Sequence, residues 1–307
     1  MLNIYYGRES IDKEKFIYQT IAKHGYSTDK RTLVVVPDQY TLEAEKQAFR
    51  HLGAESLMGF EVMSMSRLGH NILEELGGSK ETFIDKYGRQ MLLTRIAREE
   101  DENLQVFKGN LAKSSFIELT NNFISEMKQY GATPETLNEI IESLDKETLL
   151  CKKLADLKLI YDRYQSEIDG KYTDSEDYID LYIDRIGESR FIKNSTIWIY
   201  GFDSFAPKSL EVIEGFMGAA SEVNVVLTYD KMCSDEDLFD LTGTVMRNLI
   251  ERAGNAGCRL GDNQKISDEF AVEKNSRAIA FLEKELYAMD PGSSEDHVLL
   301  CSGFVRL

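Results

Sequence analysis

The sequence lacks the features that mark membrane-bound or secreted proteins. It has no apolar run of about 18 residues, the length that a membrane-spanning helix needs, and no basic segment ahead of an apolar stretch at its N-terminus. Its four cysteines, Cys151, Cys233, Cys258 and Cys301, have neither disulfide-framework nor metal-ligand spacing. We therefore expect a reduced, cytoplasmic setting, with no membrane partner and no metal site.

Positive charge is scarce as well. The 307 residues carry a formal net charge of −17, whereas proteins that bind nucleic acid broadly neutralise its phosphates with Lys and Arg. A local basic groove is still compatible with this balance. The hydrophobic content of 42% and the charged content of 29% are typical of a soluble globular protein, and the length is sufficient for two lobes.

Motifs for hydrolytic chemistry are absent too. The sequence has no G-x-S-x-G pattern, and its four histidines lack the spacing of a metal site or a catalytic triad. Asp174, Glu176 and Asp177 are close in sequence, but acids at a helix start are favoured by the helix dipole. We predict no catalytic residue.

The chain does contain a strand, a loop and a helix at its N-terminus, in the order found around phosphate-binding loops. The phosphate-loop pattern G-x-x-x-x-G-K-[ST] places amides and a Lys against phosphates and a hydroxyl against Mg²⁺. Gly7 and Lys13 keep the spacing of this pattern, but Asp12 replaces its second glycine and Glu14 replaces its hydroxyl residue.

These two replacements change the chemistry of the loop. Asp12 takes a positive φ less readily than glycine, and it is a favoured N-cap whose carboxylate accepts the amides that a phosphate would need. Glu14 can still ligate a metal, but as another anion beside the phosphates. We predict a self-capped helix start and a degenerate nucleotide site at Gly7, Lys13 and Glu14, without a bound cofactor. The alternative is an atypical working site, with Lys13 on the phosphates and Glu14 on Mg²⁺.

Apolar, β-branched runs alternate with helical patterns in two parts of the chain, which predicts an α/β fold with a parallel sheet flanked by helices. Between them, from about 81 to 186, amphipathic helices follow one another with few Gly or Pro breaks. The predicted division is a discontinuous domain of 1–78 and 190–307 with a large all-helical insertion lobe of 79–189. The predicted strands after the opening one are Thr32–Val36, Phe60–Ser64, Thr196–Tyr200, Val223–Tyr229 and Val298–Ser302.

The helical patterns also predict which faces are buried. Leu42, Phe49 and Leu52 lie on or near one face of the helix after the second strand. Gly254–Gln264 is predicted to be a surface loop, and a helix is predicted at about Phe270–Met289. A stripe in the helical region comprises Phe116, Leu119, Phe123, Met127 and Tyr130.

Several short strings, in one order, resemble the AddB (also RexB) component of bacterial ATP-dependent helicase–deoxyribonucleases. The resemblance runs from Asn3 to about Tyr229 and weakens after that. Besides the loop from Gly7 to Lys13, its strings are Val34-Val-Val-Pro-Asp-Gln-Tyr-Thr-Leu-Glu-Ala-Glu45, Met65-Ser-Arg-Leu68, Lys153–Tyr161, Tyr172–Tyr178 and Ile197–Pro207.

That resemblance implies a superfamily-1 helicase-like motor domain with a RecA-like, P-loop-type sheet and a helical insertion. Family members are longer, pair with a helicase–nuclease subunit of the AddA or RexA type, and process double-stranded DNA ends for recombination repair. Their C-terminal nuclease region holds an iron–sulfur cluster. The present chain resembles their N-terminal region and is expected to hold no such cluster.

A second motif departs from the motor pattern. An active motor needs adjacent acids behind the strand that ends at Tyr200, to hold Mg²⁺ and orient water. This chain offers Asp203 alone, displaced into a turn before Pro207, where turn or helix capping is the favoured explanation. We predict that the domain does not hydrolyse ATP.

Polar side chains suited to DNA follow two of the predicted strands, at the carboxyl ends where parallel α/β sheets place their ligands. By resemblance to helicase motors, these residues would face single-stranded DNA with hydroxyl, amide and guanidinium donors and a stacking ring. Helix capping by Thr41 and Ser66 is the alternative. The residues are Gln39, Tyr40 and Thr41 after one strand and Ser64, Ser66 and Arg67 after the next.

The combined prediction is the helicase-like N-terminal part of an AddB-type protein, a non-hydrolysing module that guides DNA ends or a single strand and docks the partner helicase–nuclease. One rival keeps a functional ATP-binding site. The other has no DNA contact and uses the acidic helical lobe as a protein-interaction scaffold.

Overall fold

The computed structural model of the chain describes residues 1–24, 31–52, 59–78, 82–109, 113–231 and 237–272. The chain divides into two compact units. The sheet unit comprises Met1–Leu68, Ile186–Phe205 and Ile213–Leu307, and the helical unit comprises Gly69–Arg185 and Ala206–Val212. The helix predicted at Phe270–Met289 lies almost entirely outside the described residues, and the strand predicted at Val298–Ser302 lies wholly outside them.

Strands of the sheet unit form one parallel sheet, in the order β3-β2-β6-β7-β1-β8 within the described residues. Helices flank it, so the predicted α/β class with a parallel central sheet is confirmed. In chain order the described strands are β1 (Leu2–Gly7), β2 (Arg31–Val35), β3 (Phe60–Met63), β4 (Thr82–Phe83), β5 (Tyr172–Thr173), β6 (Ser195–Tyr200), β7 (Glu222–Thr228) and β8 (Leu260–Lys265).

The central strands are buried because their side chains are apolar on both faces, as in parallel sheets covered by helices. Leu33, Val34 and Val35 of β2 are wholly buried, as are Ile197 and Ile199 of β6. Aromatic rings fill the space on one side of the sheet: Tyr5 stacks on Trp198 with ring centroids 5.6 Å apart, and Phe16 packs against both. This packing fixes the first helix against the strands that carry the candidate site.

Strand β8 corrects one prediction. The sequence predicts a surface loop at Gly254–Gln264, whereas Leu260–Lys265 pairs in parallel with β1. The segment is rich in Gly, Asp and Asn and has no β-branched residue, so its sequence lacks strand propensity. Its pairing comes instead from β1, whose backbone groups on that side need partners.

None of the helices in the described residues is long and apolar enough to cross a membrane. In chain order they are α1 (Lys13–His24), α2 (Thr41–Leu52), α3 (Met65–Glu75), α4 (Lys86–Glu100), α5 (Ser114–Gln129), α6 (Pro134–Ser143), α7 (Leu149–Ile168), α8 (Ser175–Ile183), α9 (Arg190–Lys193), α10 (Pro207–Ala219) and α11 (Asp240–Asn255).

The segment predicted to be all-helical also contains two short strands. Strands β4 and β5 pair in parallel, with Thr82 opposite Tyr172 and Phe83 opposite Thr173. Strands of two residues are too short for an alternating pattern to appear in the sequence. The rest of the helical unit packs α4, α5, α6 and α7 around a core that includes Leu93, Ile124 and Ile160.

Two predicted buried faces are confirmed only in part: Leu52 of α2 and Phe116, Phe123 and Met127 of α5 pack against the cores, whereas other members are exposed. In α2, Ala44 and Ala48 face the core, while Leu42 and Phe49 are 63% and 53% exposed. Small side chains let α2 approach the sheet closely, and the larger residues are left outside. Leu119 of α5 and Tyr130, which follows the helix, are exposed, and the buried side of α5 recurs every four residues through Phe116, Thr120, Ile124 and Lys128.

Lys128 belongs to a buried ion cluster in the helical unit. Its Nζ lies 2.8 Å from Asp174 Oδ2 and 2.7 Å from Asp177 Oδ2, and Asp174 is wholly buried. Arg89, also buried, pairs with Glu176. Asp174 Oδ1 accepts the amides of Glu176 and Asp177 as the N-cap of α8. The three acids therefore act at a helix start, as predicted, and also balance two buried cations.

Candidate functional site at the carboxyl edge of the sheet

A pocket of about 490 Å³ opens in the sheet unit at the carboxyl ends of β1, β2, β6 and β7. Open α/β sheets bind ligands at this edge because strand-to-helix loops and helix N-termini converge there. Lys13 and Glu14 of the predicted nucleotide loop line the pocket together with Gln39 and Tyr40 of the predicted DNA group. Gly7, the third nucleotide-loop residue, is the last residue of β1 and does not line the pocket.

Asp12 caps helix α1 from the loop behind β1. Its Oδ1 accepts the amide of Lys15 at 2.9 Å, so the predicted cap is formed. The Asp12 amide in turn donates to the carbonyl of Phe270 at 2.8 Å. Two backbone amides that a phosphate loop would offer to a ligand are therefore engaged within the chain.

The ammonium of Lys13 is also engaged by the loop itself. Its Nζ donates to the Arg8 carbonyl and to Glu9 Oε2, each at 3.1 Å, and the side chain is only 14% exposed. Arg8 of the same loop pairs with Asp230, with 2.7 Å between Nε and Oδ2. Lys13, which lines the pocket, and Arg8 of the same loop are thus each paired with an acid of the chain.

Glu14 accepts hydrogen bonds from two tyrosines. Its Oε1 lies 2.6 Å from the Tyr40 hydroxyl and 3.3 Å from the Tyr200 hydroxyl. Tyr200 is buried at the end of β6, and its hydroxyl oxygen lies 3.4 Å from that of Tyr18. Tyr18 donates to the Ala44 carbonyl of α2 at 2.8 Å. We call Glu14, Tyr18, Tyr40 and Tyr200 the tyrosine cluster.

The tyrosines of this cluster are held in their neutral form. Burial, followed by the hydrogen bond to Glu14, raises the pKa of Tyr40. Burial also raises the pKa of Tyr200, with further contributions from the neighbouring Tyr18 and Glu14. A neutral tyrosine donates its hydroxyl proton, so both groups act as donors to the Glu14 carboxylate at any pH near neutrality.

Asp203 stands apart from the end of β6. Gly201 follows Tyr200 with a φ of +82°, a backbone conformation that favours glycine, and it turns the chain beside Pro37. Asp203 is exposed at the pocket wall. The turn therefore separates this acid from the strand end, where a motor would place its metal-binding carboxylates.

The predicted DNA residues after β2 point in different directions. Gln39 is exposed, and Tyr40 is directed to Glu14. Thr41 Oγ1 donates to the Asp38 carbonyl at 3.1 Å. Thr41 is already helical, with φ −57° and ψ −45°, and is the first residue of α2. It therefore does not serve as the N-cap of that helix, which has non-helical dihedral angles.

The residues after β3 lie beside them, because Val35 of β2 is opposite Met63 of β3. Ser64 is buried and its Oγ accepts the Arg67 amide at 3.3 Å, so Ser64, rather than Ser66, caps α3. Ser66 is exposed and donates to Asp38 Oδ1 at 2.8 Å. The Arg67 side chain is exposed.

Two residues of this edge were missed by sequence reasoning. Asp38 links Ser66 to the β2 end, and Tyr200 links Glu14 to β6. Asp38 directly follows Pro37, and an acid after a strand-ending proline is a usable sign of a turn contact. Nothing in the local sequence distinguishes Tyr200 from an ordinary core aromatic.

Comparison with known proteins places the chain in a family. The family model for ADDB, N-terminal, matches residues 4–283. The chain belongs to this ADDB N-terminal family. Its match extends past Tyr229, where the resemblance in the sequence strings weakens.

Curated relatives of this ADDB N-terminal chain are named as the B subunit of an ATP-dependent helicase/deoxyribonuclease. The relative from Alkaliphilus oremlandii is 31% identical over 92% of this chain and 25% of its own length. The relative from Alkaliphilus metalliredigens is 34% identical over 70% of this chain and 19% of its own length. The relative from Clostridium acetobutylicum is 30% identical over 94% of this chain and 25% of its own length. The chain thus spans about a quarter or less of each of these relatives' length.

In this ADDB N-terminal chain the pocket is chemically acidic. Four carboxylates line it, those of Glu9, Asp12, Glu14 and Asp203, against the single ammonium of Lys13. In the part of the chain that the structure describes, no group of three or more His, Cys, Asp or Glu side chains is arranged to hold a metal ion. A polyphosphate entering this pocket would meet more negative than positive charge.

Proposed function

We propose that this chain is the helicase-like N-terminal part of the AddB-type component of an ATP-dependent helicase/deoxyribonuclease. Its sheet would be a RecA-like, P-loop-type domain that has lost ATP hydrolysis, with the helical segment as an insertion lobe. The parent protein would process DNA double-strand-break ends in the cytoplasm for recombination repair. An interior first strand, followed by a loop and a helix at the pocket, supports this assignment.

The internal hydrogen bonds and ion pair of the loop between β1 and α1 are the observation that supports the proposed loss of ATP hydrolysis. Three groups that the phosphate-loop pattern would turn toward a nucleotide have partners within the chain. The Lys15 amide is held by Asp12, the Lys13 ammonium by Glu9, and the residue at the Mg²⁺ position, Glu14, by tyrosine hydroxyls. A nucleotide would have to break these contacts and enter against four carboxylates.

We assign the retained role to DNA guidance and docking of the partner helicase–nuclease. Gln39 and Arg67 are exposed at the carboxyl ends of β2 and β3 and offer amide and guanidinium donors, and the exposed Ser66 beside them holds Asp38. Such donors suit the phosphates of a single strand. The partner would be a helicase–nuclease of the AddA or RexA type, which supplies the active motor.

Titration of the chain with Mg-ATP in a calorimeter is expected to give no binding heat, because the loop groups are engaged and the pocket is acidic. Lys13→Ala serves as the matched control, since it removes the lysine of the pattern. Micromolar binding by the natural chain that Lys13→Ala abolishes would replace our proposal with a functional nucleotide site.

Binding of a fluorescent single-stranded oligonucleotide is expected to weaken steeply with salt, because phosphate contacts release counterions. Arg67→Ala should lower the slope of log affinity against log salt by about 1 unit. Arg247→Ala, an equally simple change of a 69% exposed arginine on α11, should leave that slope unchanged. A flat or absent signal for the natural chain would favour the docking role without DNA contact.

A further inference from the structure

Three elements of the sheet unit meet at one carboxylate oxygen. Glu14 is in the first turn of α1, Tyr40 is in the short 3₁₀ turn Asp38–Tyr40 behind β2, and Tyr200 ends β6. Both hydroxyls donate to Glu14 Oε1, and the edge of one ring faces the other at 6.2 Å between centroids. The turn that carries Gln39 and Tyr40 is therefore fastened to the helix behind the degenerate phosphate loop.

The same cluster also holds the far end of that turn. Tyr18, one turn after Glu14 on α1, donates to the carbonyl of Ala44 in the first turn of α2. Tyr18 and Ala44 are wholly buried. Residues 38–41, which we call the 38–41 loop, are thus fastened to α1 at Tyr40, through Glu14, and the start of the helix that follows them is fastened to α1 at Ala44, through Tyr18.

The contacts of Glu14 are informative because of its position in the phosphate-loop pattern. In the phosphate-loop pattern this position carries the hydroxyl that binds Mg²⁺, so its contacts depend on a nucleotide. A glutamate reaches farther than a serine and, as a carboxylate, accepts only. Here its hydrogen bonds go to the chain's own hydroxyls, and hydrogen bonds to a charged acceptor are shorter and stronger than neutral ones.

We propose that Glu14 is a positioning residue, which holds the 38–41 loop in one conformation without any nucleotide. The inference rests on the proposed function, because the 38–41 loop is part of the proposed DNA-contacting edge. Glu14 itself does not touch DNA in this arrangement; it acts through Tyr40. A loop that is already ordered loses less freedom when a strand binds.

Because Glu14 is negatively charged, the electrostatic and the positioning explanations predict opposite changes in DNA affinity when it is removed. Removing an acid near the proposed DNA edge should strengthen binding to phosphates if only electrostatics mattered. Removing a positioning contact should weaken it. Glu14→Ala in the full chain is expected to raise the dissociation constant for a single-stranded oligo-dT on the order of tenfold, as for the loss of one charge-assisted hydrogen bond.

Three further variants separate positioning from contact and from charge. Tyr40→Phe keeps the ring for stacking and removes only the hydroxyl, so it should match Glu14→Ala, and the double variant should be no weaker than either single one. Glu14→Gln, whose amide oxygen can still accept from Tyr40, should restore part of the affinity. Glu9→Ala removes an 80% exposed acid of the same pocket and should leave affinity equal or slightly higher.

Hydrogen exchange provides a readout that does not need DNA. Amides of residues 40–44 should exchange at least about tenfold faster in Glu14→Ala and Tyr40→Phe than in the natural chain, while amides of β6 and β7 keep their protection. Unchanged exchange at residues 40–44 in both variants would overturn the inference. Uniformly faster exchange throughout the sheet unit would overturn it too, since Glu14 would then serve general stability.

The outcomes for the inference and for the proposed function are distinguishable. If the natural chain binds no DNA but exchange at residues 40–44 responds as expected, the positioning role stands and the DNA role falls. If the natural chain binds DNA and Glu14→Ala binds it equally or better with unchanged exchange, the positioning role falls alone.

Discussion

Replacing Lys128 with methionine is expected to destabilise the helical unit by about 3–5 kcal/mol, the range for breaking a buried ion pair from one side. The change keeps the length of the side chain and removes its charge. Asp174, wholly buried, and Asp177 would then face each other without the ammonium that lies within 2.8 Å of both. Thermal unfolding should show the loss as a fall of about 10 °C or more in the transition of that unit.

Lys158→Met is the matched control for this change. Lys158 is on α7 of the same unit and pairs with Asp162 one turn away, but both side chains are partly exposed. Such a surface pair contributes less than about 0.5 kcal/mol. Equal destabilisation by the two substitutions would show that the ion cluster contributes no more than surface charge.

The pH dependence gives an independent check on the same cluster. Burial alone raises the pKa of Asp174, but Lys128 and the Asp177 amide outweigh it and hold the pKa below the ordinary 3.8. A carboxyl with a lowered pKa stabilises the fold above its unfolded value and loses that contribution as the pH falls through the folded one. In Lys128→Met the pKa of Asp174 should rise. The difference in free energy of unfolding between this variant and the natural chain should therefore become smaller as the pH falls below about 4.

Restoring the phosphate-loop pattern is expected to create nucleotide binding. The double variant Asp12→Gly with Glu14→Ser gives G-x-x-x-x-G-K-S from Gly7 onward. It removes two carboxylates from the pocket, frees the Lys15 amide from its cap, and supplies a hydroxyl for Mg²⁺. Calorimetry should give a dissociation constant for Mg-ATP at least about tenfold lower than that of the natural chain, which corresponds to about 1.4 kcal/mol of binding free energy.

Two controls separate the causes of that gain. Asp12→Asn with Glu14→Gln removes the same charges without restoring the pattern, and it should bind Mg-ATP weakly or not at all. Adding Lys13→Ala to the restored loop should abolish binding. A folded double variant that still gives no heat would show that Asp12 and Glu14 are not what excludes the nucleotide. We expect no hydrolysis in either case, because Asp203 stands away from the β6 end.

The parts of the site that could be predicted are those that depend on neighbours in sequence. Asp12 and the Lys15 amide are three residues apart, and helix geometry alone brings them together. The strands β2, β6 and β7 are visible as apolar, β-branched runs. The role of Glu14 could not be predicted, because it depends on Tyr200, which follows 186 residues later.

The errors in the buried faces have a similar origin. The apolar pattern predicts that Leu119 of α5 and Tyr130, just after it, are buried, yet they are 68% and 66% exposed. Lys128 takes the inner position because Asp174, 46 residues on, supplies the opposite charge there. Periodicity rules assume that charged side chains face water, and a pairing between distant segments overrides that assumption.

The position of β1 has a consequence for synthesis on the ribosome. Strand β1 precedes its neighbours β7 and β8 in the chain, which begin at Glu222 and Leu260. At typical elongation rates, roughly 10–45 s pass between the synthesis of Leu2 and that of Val223, its partner in the sheet. During that wait the contiguous helices from Gly69 to Arg185 can fold, and β2 and β3 can pair. We therefore expect the first strand to be among the last to find its place, with its apolar residues a natural target for chaperones.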